Sequence, residues 1–284
     1  MAEVEPALAQ PRAATPLQPA AAALARTATT PWDLSGRGLP GTDTVIEEVP
    51  VALVYNGISH AVMLASPGDL EDLAVGFSLT EGIVPSARAI YDVEVAEGCE
   101  GIELRIVIAA THMAALKLRR RALAGRTGCG LCGVESLAQA LRPTRVVDGG
   151  GSITAQALDR AFARLDSLQA CHRASGAAHA AGFADWQGGV RLLREDVGRH
   201  NALDKLVGAM AAAGVAGEQG TALVTSRASY EMVHKTAAAG IPMLAALSAP
   251  TAMAVRVAER AGLTLVGFAG RGRKLAYAHP ERLA

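Results

Sequence analysis

Residues 222–247 read Ala-Leu-Val-Thr-Ser-Arg-Ala-Ser-Tyr-Glu-Met-Val-His-Lys-Thr-Ala-Ala-Ala-Gly-Ile-Pro-Met-Leu-Ala-Ala-Leu, and their order decides the fold. A short apolar run over 222–225 reads as a strand. A hydroxyl-rich break follows, then a helical stretch over 230–239 closed by Gly240, then a second apolar strand over 243–247. The alternation extends both ways. Residues 190–193 read as a strand and 201–213 as a helix. Downstream, Pro250 suits a helix first turn and Gly262 lies just past its end, with strands over 263–266 and 274–278. Upstream, Leu158, Ala161, Phe162, Leu165 and Leu168 share one helical face. Together these predict an α/β layered sheet covered by helices.

The preceding part of the chain has a different grain. Residues 1–44 are rich in Ala, Pro and Thr without periodicity, and read as a disordered leader. Order is expected to begin near Thr44, with a strand-like run over 45–54, a tight turn at Asn56-Gly57 and a returning strand over 61–64. Pro67-Gly68-Asp69 opens a helix carrying Leu70, Leu73, Ala74 and Phe77, and Gly82 ends it. Strands over 90–95 and 102–108 and a basic helix over 113–123 complete a small α+β unit. A short helix over 135–141, then Pro143 and Gly149-Gly150-Gly151, make the connection. The expected division is a leader at 1–44, an α+β domain at 45–125, a linker at 126–150 and an α/β domain at 151–284.

The chain has 284 residues, half of them hydrophobic, and 27 basic residues balance 27 acidic ones. A neutral balance argues against non-specific nucleic-acid binding, which needs a basic excess. No apolar run suits a membrane span, and the acidic, proline-containing start is unlike a secretory signal. Four scattered cysteines are too few for a disulfide scaffold, so a reducing cytoplasm is the expected compartment.

The chemistry concentrates in Thr127-Gly128-Cys129-Gly130-Leu131-Cys132-Gly133. Two thiols three residues apart can share a metal, exchange a disulfide or carry sulfur, and flanking glycines leave them open to a partner. Structural zinc wants four ligands, and there is no second close pair. Spacing leaves sulfur transfer and disulfide exchange equally open. Three further clusters stand out. Residues 194–205 (Arg-Glu-Asp-Val-Gly-Arg-His-Asn-Ala-Leu-Asp-Lys) crowd ionisable groups at a strand-to-helix junction, where α/β sheets bind ligands. Composition alone favours a solvated helix start there, capped by Asp196. Residues 225–231 form a similar junction, where capping by Ser226 is the plain reading. The third cluster is Phe268-Ala269-Gly270-Arg271-Gly272-Arg273, which follows an apolar strand. It offers exposed N–H groups, two guanidinium forks suited to phosphate, and a ring for stacking.

In this order, the segments resemble the formate dehydrogenase accessory sulfurtransferase (FdhD) family. The matching pieces are Ser66-Pro67-Gly68-Asp69 through Thr80-Glu81-Gly82, then residues 128–133 and His179-Ala180-Ala181. They continue with 195–205, 226–232, Ala239-Gly240-Ile241-Pro242 through Ser248-Ala249-Pro250, 267–273 and 277–279. The resemblance implies a sulfur carrier that takes sulfur from a cysteine desulfurase. It implies delivery to the molybdenum cofactor, as molybdenum bis(molybdopterin guanine dinucleotide), before insertion into the formate dehydrogenase catalytic subunit. It assigns the persulfide to Cys129 and cofactor binding to Phe268, Ala269, Gly270, Arg271, Gly272 and Arg273; on chemical grounds Cys132 is expected either to assist release by attacking the sulfur-bearing side chain or to tune its neighbour. It further implies a homodimer and a second domain similar to the cytidine deaminase fold. Zinc deamination fits poorly: His279-Pro280-Glu281 follows the dithiol at the far C-terminus, and Gly128 precedes Cys129 where deaminases carry proline. The rival functions are a non-catalytic cofactor chaperone and a dithiol oxidoreductase.

Overall fold

The computed structural model describes residues 23–34, 36–123, 144–270 and 272–284. Order begins before Thr44. Strand β1 (Leu24–Thr29) pairs antiparallel with β4 (Gly41–Ile46), enclosing the short pair β2 (Trp32–Asp33) and β3 (Gly36–Arg37). The base of this ribbon is anchored by Ala23, which is buried with Cys171 and Ala178 while Leu24 and Ile46 pack alongside. The partners lie some 150 residues downstream, so nothing local in the Ala/Thr pattern reveals the pairing.

Strand β5 (Val49–Tyr55) turns at Asn56 and Gly57, both at positive φ (46° and 79°), into β6 (Ile58–Ala65). That backbone matches the twist of a two-residue hairpin. Strand β7 (Ile90–Gly98) pairs antiparallel with β8 (Gly101–Ile108), and β8 runs parallel to β5, giving the sheet order β6-β5-β8-β7. Val51, Leu53, Tyr55, Leu104, Ile106 and Ile108 alternate onto one face. They bury against Leu70, Leu73 and Ala74 of the Leu70–Thr80 helix, and against Met113 and Leu116 of the Ala110–Leu123 helix. Each such side chain contributes about 1.5–3 kcal/mol of transfer free energy.

The second sheet has the order β10-β9-β11-β12-β13-β14. Its strands are β9 (His179–Asp185), β10 (Val190–Asp196), β11 (Gly220–Val224), β12 (Met243–Ala246), β13 (Thr264–Gly267) and β14 (Leu275–Ala278). The central β11, β12 and β13 are parallel and the outer pairings antiparallel. Helices Arg199–Ala213, Tyr230–Ala238 and Ala252–Ala261 cover one face, packing on Phe183, Ala222, Val224 and Leu244. Helix Ala155–Leu168 covers the other, packing on Leu223, Ala245 and Val266. Successive strand residues thus feed opposite cores. The mixed α/β class is as expected. Thr251, rather than Pro250, begins the 252–261 helix: its Oγ1 accepts from Ala254 N–H at 3.2 Å.

The two sheets are joined by a close helix crossing. A methyl group on Gly76 would stand 1.7 Å from the Asp204 carbonyl oxygen, and one on Gly208 would stand 2.0 Å from that of Asp72. Only hydrogen at both positions lets the Leu70–Thr80 and Arg199–Ala213 backbones touch.

Candidate functional site

Three parallel strands end at one edge of the second sheet, the place where open α/β sheets receive ligands. There β11 leads into Thr225, Ser226 and Arg227, β12 into Leu247, Ser248 and Ala249, and β13 into Phe268. The turns lock together through the backbone. Leu247 N–H donates to Val224 O (2.9 Å), Ala269 N–H to Ala246 O (3.0 Å) and Thr251 N–H to Ala228 O (3.0 Å). Phe268 takes a left-handed backbone (φ 55°) that is uncommon outside glycine, asparagine and aspartate. Close packing surrounds it. A Cβ on Gly267 would meet the Tyr277 ring at 2.9 Å and Pro250 at 3.0 Å, and one on Gly270 would meet Leu247 at 2.3 Å.

Of the residues assigned from sequence, Phe268, Ala269, Gly270, Gly272 and Arg273 therefore sit at this edge. Gly270, Gly272 and Arg273 are exposed, Phe268 is half-buried and Ala269 is buried. Arg271, Cys129 and Cys132 lie outside the described residues, as does the short helix expected over 135–141. Lys274 turns to Asp159, 2.6 Å away on the Ala155–Leu168 helix.

The antiparallel strands bring further groups to the same edge. The first residue of β9, His179, pairs in register with the last of β10, Asp196, and Ala180 N–H donates to Thr225 Oγ1 at 2.9 Å. Arg199 and His200 then open the Arg199–Ala213 helix, and His200 Nε2 lies 2.7 Å from Glu231 in the first turn of the Tyr230–Ala238 helix. Burial, followed by the charges of Arg199, His172 and His200, holds the His179 imidazole below its ordinary pKa. The Glu231 carboxyl is held below its usual range chiefly by the hydrogen bond with His200. Sequence reading did not single out the His179–Arg199–His200–Glu231 group, because its members come from three elements and no spacing links them.

The 194–205 cluster divides in two. Its solvated-cap reading is corrected: Asp196 and Lys205 are fully buried and paired at 2.6 Å. Asp196 also accepts from Ser66 N–H (3.0 Å), Gly198 N–H (2.7 Å) and Asn201 Nδ2 (3.0 Å), while Lys205 donates to Ser66 O (2.9 Å). Gly198 occupies the cap position without a side-chain bond. Asp196 therefore ties the Ser66 loop to the second sheet. Eight residues along, Asp204 accepts from Thr80 Oγ1 (2.6 Å) and pairs with Lys235 (2.9 Å), which also reaches Glu81 (2.9 Å). Burial would discharge Lys235, but Asp204 and Glu81 outweigh it and keep its pKa above the ordinary value. These residues hold the two sheets together. Ser226 is likewise no cap: its hydroxyl donates to Arg227 O, and Ser229 takes the cap position.

The remaining thiols contrast. Cys99 is exposed and Cys171 buried. Burial, reinforced by the Glu195 carboxylate that accepts from Cys171 N–H (2.9 Å) and His172 N–H (2.8 Å), pushes the Cys171 thiol up to about 11. Among the described residues no group of three or more His, Cys, Asp or Glu is placed to hold a metal, and no helix is long and apolar enough to cross a membrane. Both ring nitrogens of His279 are engaged, with Glu281 and with Glu259 O, each at 2.9 Å.

Two sheets joined at a close helix crossing, with the turns after three parallel strands gathered at one edge of the larger sheet, define a mixed α/β protein. Residues 46–284 match the FdhD/NarQ family, and the chain belongs to it. Sulfur carrier protein FdhD of Cupriavidus necator is 57% identical over 241 residues, covering 85% of this chain and 84% of its own. Its counterpart in Bordetella bronchiseptica is 53% identical over 243 residues, covering 86% and 88%. The crystal structure of a protein described as a formate dehydrogenase accessory protein from Desulfotalea psychrophila superposes with a TM-score of 0.71. It is 21% identical and covers 92% of this chain and 99% of its own, a likeness of fold.

Proposed function

We propose that this protein is a sulfur carrier serving a formate dehydrogenase. The observation that carries the reading is the 57% identity to a sulfur carrier protein over 85% of this chain, a span that includes the Cys129-Gly130-Leu131-Cys132 segment in this sequence. In the proposed cycle the Cys129 thiolate attacks the terminal sulfur of a cysteine desulfurase persulfide. A new S–S bond forms, the donor's S–S bond breaks, and the donor cysteine leaves as thiolate. Cys129 then presents the terminal sulfur to the substrate, the molybdenum bis(molybdopterin guanine dinucleotide) cofactor, held at the strand-end edge by residues 268–273. Buried Cys171, with its raised pKa, is a poor nucleophile for this step, which favours the glycine-flanked pair.

The test is mass spectrometry of the protein after incubation with a desulfurase and cysteine. A gain of one sulfur on the Cys129 peptide is expected, and it should vanish in Cys129→Ala. Full support of formate dehydrogenase by a Cys129→Ala/Cys132→Ala protein would replace the carrier with a cofactor chaperone. Turnover of a Cys129–Cys132 disulfide without a desulfurase would replace it with an oxidoreductase.

A further inference from the structure

The last six residues of the chain act as a clasp. His279 follows β14 with a left-handed backbone (φ 46°), uncommon for a residue with a side chain. Thr264 Oγ1, on β13, donates to its carbonyl at 2.6 Å. Three residues on, Arg282 donates to Gly149 O (2.9 Å), Gly262 O (3.0 Å) and Thr264 Oγ1 (3.0 Å). Ile153 N–H donates to Arg282 O (3.0 Å) and Ala284 N–H to Ile153 O (3.1 Å), a short parallel bridge. Residues 279–284 thereby join three places remote in sequence. These are the end of the Ala252–Ala261 helix, strand β13, and the 149–153 stretch that leads into the Ala155–Leu168 helix.

The imidazole of His279 is the part of this clasp that can change charge near neutral pH. Its Nδ1 lies 2.9 Å from Glu281 Oε1 and its Nε2 lies 2.9 Å from Glu259 O. Both partners accept. A carbonyl oxygen cannot donate, and the Glu281 carboxyl is held below its usual range by its own backbone N–H and by His279. A neutral imidazole offers one N–H and one lone pair, so it completes only one of these bonds, whereas imidazolium completes both. Glu259 O is also among the last carbonyls of its helix, and its bond from Gly262 N–H is long (3.4 Å). A cation there complements the helix dipole. Arg282, from the same turn, opposes the charge, and Arg260, in the last turn of the helix, is exposed. The Glu259 carbonyl and then Glu281 outweigh the opposing effects and hold the His279 pKa above its ordinary value.

We infer that His279 is a pH-operated latch: as imidazolium it fastens residues 279–284 to the Ala252–Ala261 helix and so holds 149–153 in place, and as neutral imidazole it gives up one of its two holds. The latch is independent of the sulfur-carrier reading. Because the folded pKa lies above the unfolded one, the contribution is complete below about pH 6.5 and is lost as pH rises through the higher folded value. Mild alkali, not acid, is the loosening direction.

Hydrogen exchange of the full chain between about pH 5.5 and 8.5 tests this, with rates corrected for the intrinsic effect of pH. In the wild type, protection of the Ile153 and Ala284 amides should fall about three- to tenfold across the range, relative to the Leu244 and Ala245 amides of β12. The His279 ring resonances should titrate over the same interval, with a midpoint above the ordinary one. His279→Gln, which has no titrating charge, should show the lower protection at every pH. Glu281→Gln, an exposed substitution, should move the midpoints of ring titration and of protection downward together. It carries the test should the His279 variant fold badly. Protection at Ile153 and Ala284 that does not change with pH in the wild type, or a His279 midpoint unmoved by Glu281→Gln, would overturn the latch. Neither result would bear on persulfide formation at Cys129.

Discussion

The Arg199–Ala213 helix has two environments on one rod. Along its length, Asn201, Asp204 and Lys205 meet complementary groups on Leu64, Ser66, Asp196, Thr80 and Lys235, and their charge is consumed in holding two sheets together. At its first residue, the buried Nε of Arg199 has no hydrogen-bond partner among the described residues. The sequence is equally charged in both places. The difference is partnership: one set of charged residues holds the two sheets together, while Arg199 Nε is left without a hydrogen bond among the described residues.

The largest effect should come from breaking the satisfied end. Lys205→Met leaves Asp196 buried without its counter-charge and should destabilise by about 3–5 kcal/mol, read by urea unfolding. A loss under about 1 kcal/mol would show that the pair is not closed to water. Next, Gly76→Ala gains helix propensity yet forces a methyl group into the Asp204 carbonyl. Overpacking should dominate, with a net loss of about 1–3 kcal/mol. Unchanged stability would mean that the helices can separate freely. At the other end of the rod, Arg199→Gln should shift unliganded stability by no more than about 0.5 kcal/mol.

Two smaller effects sharpen the contrast. An alkylating reagent at pH 8 should label Cys99 in the native protein and spare Cys171, whose thiol is buried and raised to about 11. Peptide mass mapping reads the result, and rapid Cys171 labelling would show that the β1–β4 base opens. Glu231 has a folded pKa below its unfolded value. Its contribution is therefore complete above the unfolded value, about pH 4.3, and is lost as pH falls through the lower folded value. Glu231→Gln should make the acid limb of the stability curve shallower. An identical limb would show that the His200 contact has no weight in solution.

Where a local rule sufficed, the sequence was legible. Asn56-Gly57 predicted its turn, and Gly82, Gly240 and Gly262 all take the left-handed backbone that closes a helix. Strand β9 was missed because His-Ala-Ala-Gly-Phe-Ala-Asp has one large β-forming side chain. It is a strand through its two neighbours, not its own propensity. The leader ribbon was missed for a similar reason, with an anchor at Cys171 and Ala178 far along the chain. Phe268, Ala269, Gly270, Gly272 and Arg273 do follow an apolar strand, as their order in the sequence suggests. Asp196 and Ser226 were misread as caps because capping is a local rule, whereas Asp196's partners include Ser66, 130 positions away.

That separation has a consequence for synthesis. The Leu70–Thr80 helix leaves the ribosome long before the Arg199–Ala213 helix that covers it, and translation adds about 5–20 residues each second. For several seconds the nascent chain shows the small-residue face at Gly76 uncovered. Refolding from denaturant should be correspondingly slow for a chain of this length, because contacts so remote along the polymer must form before the early half gains its full stability.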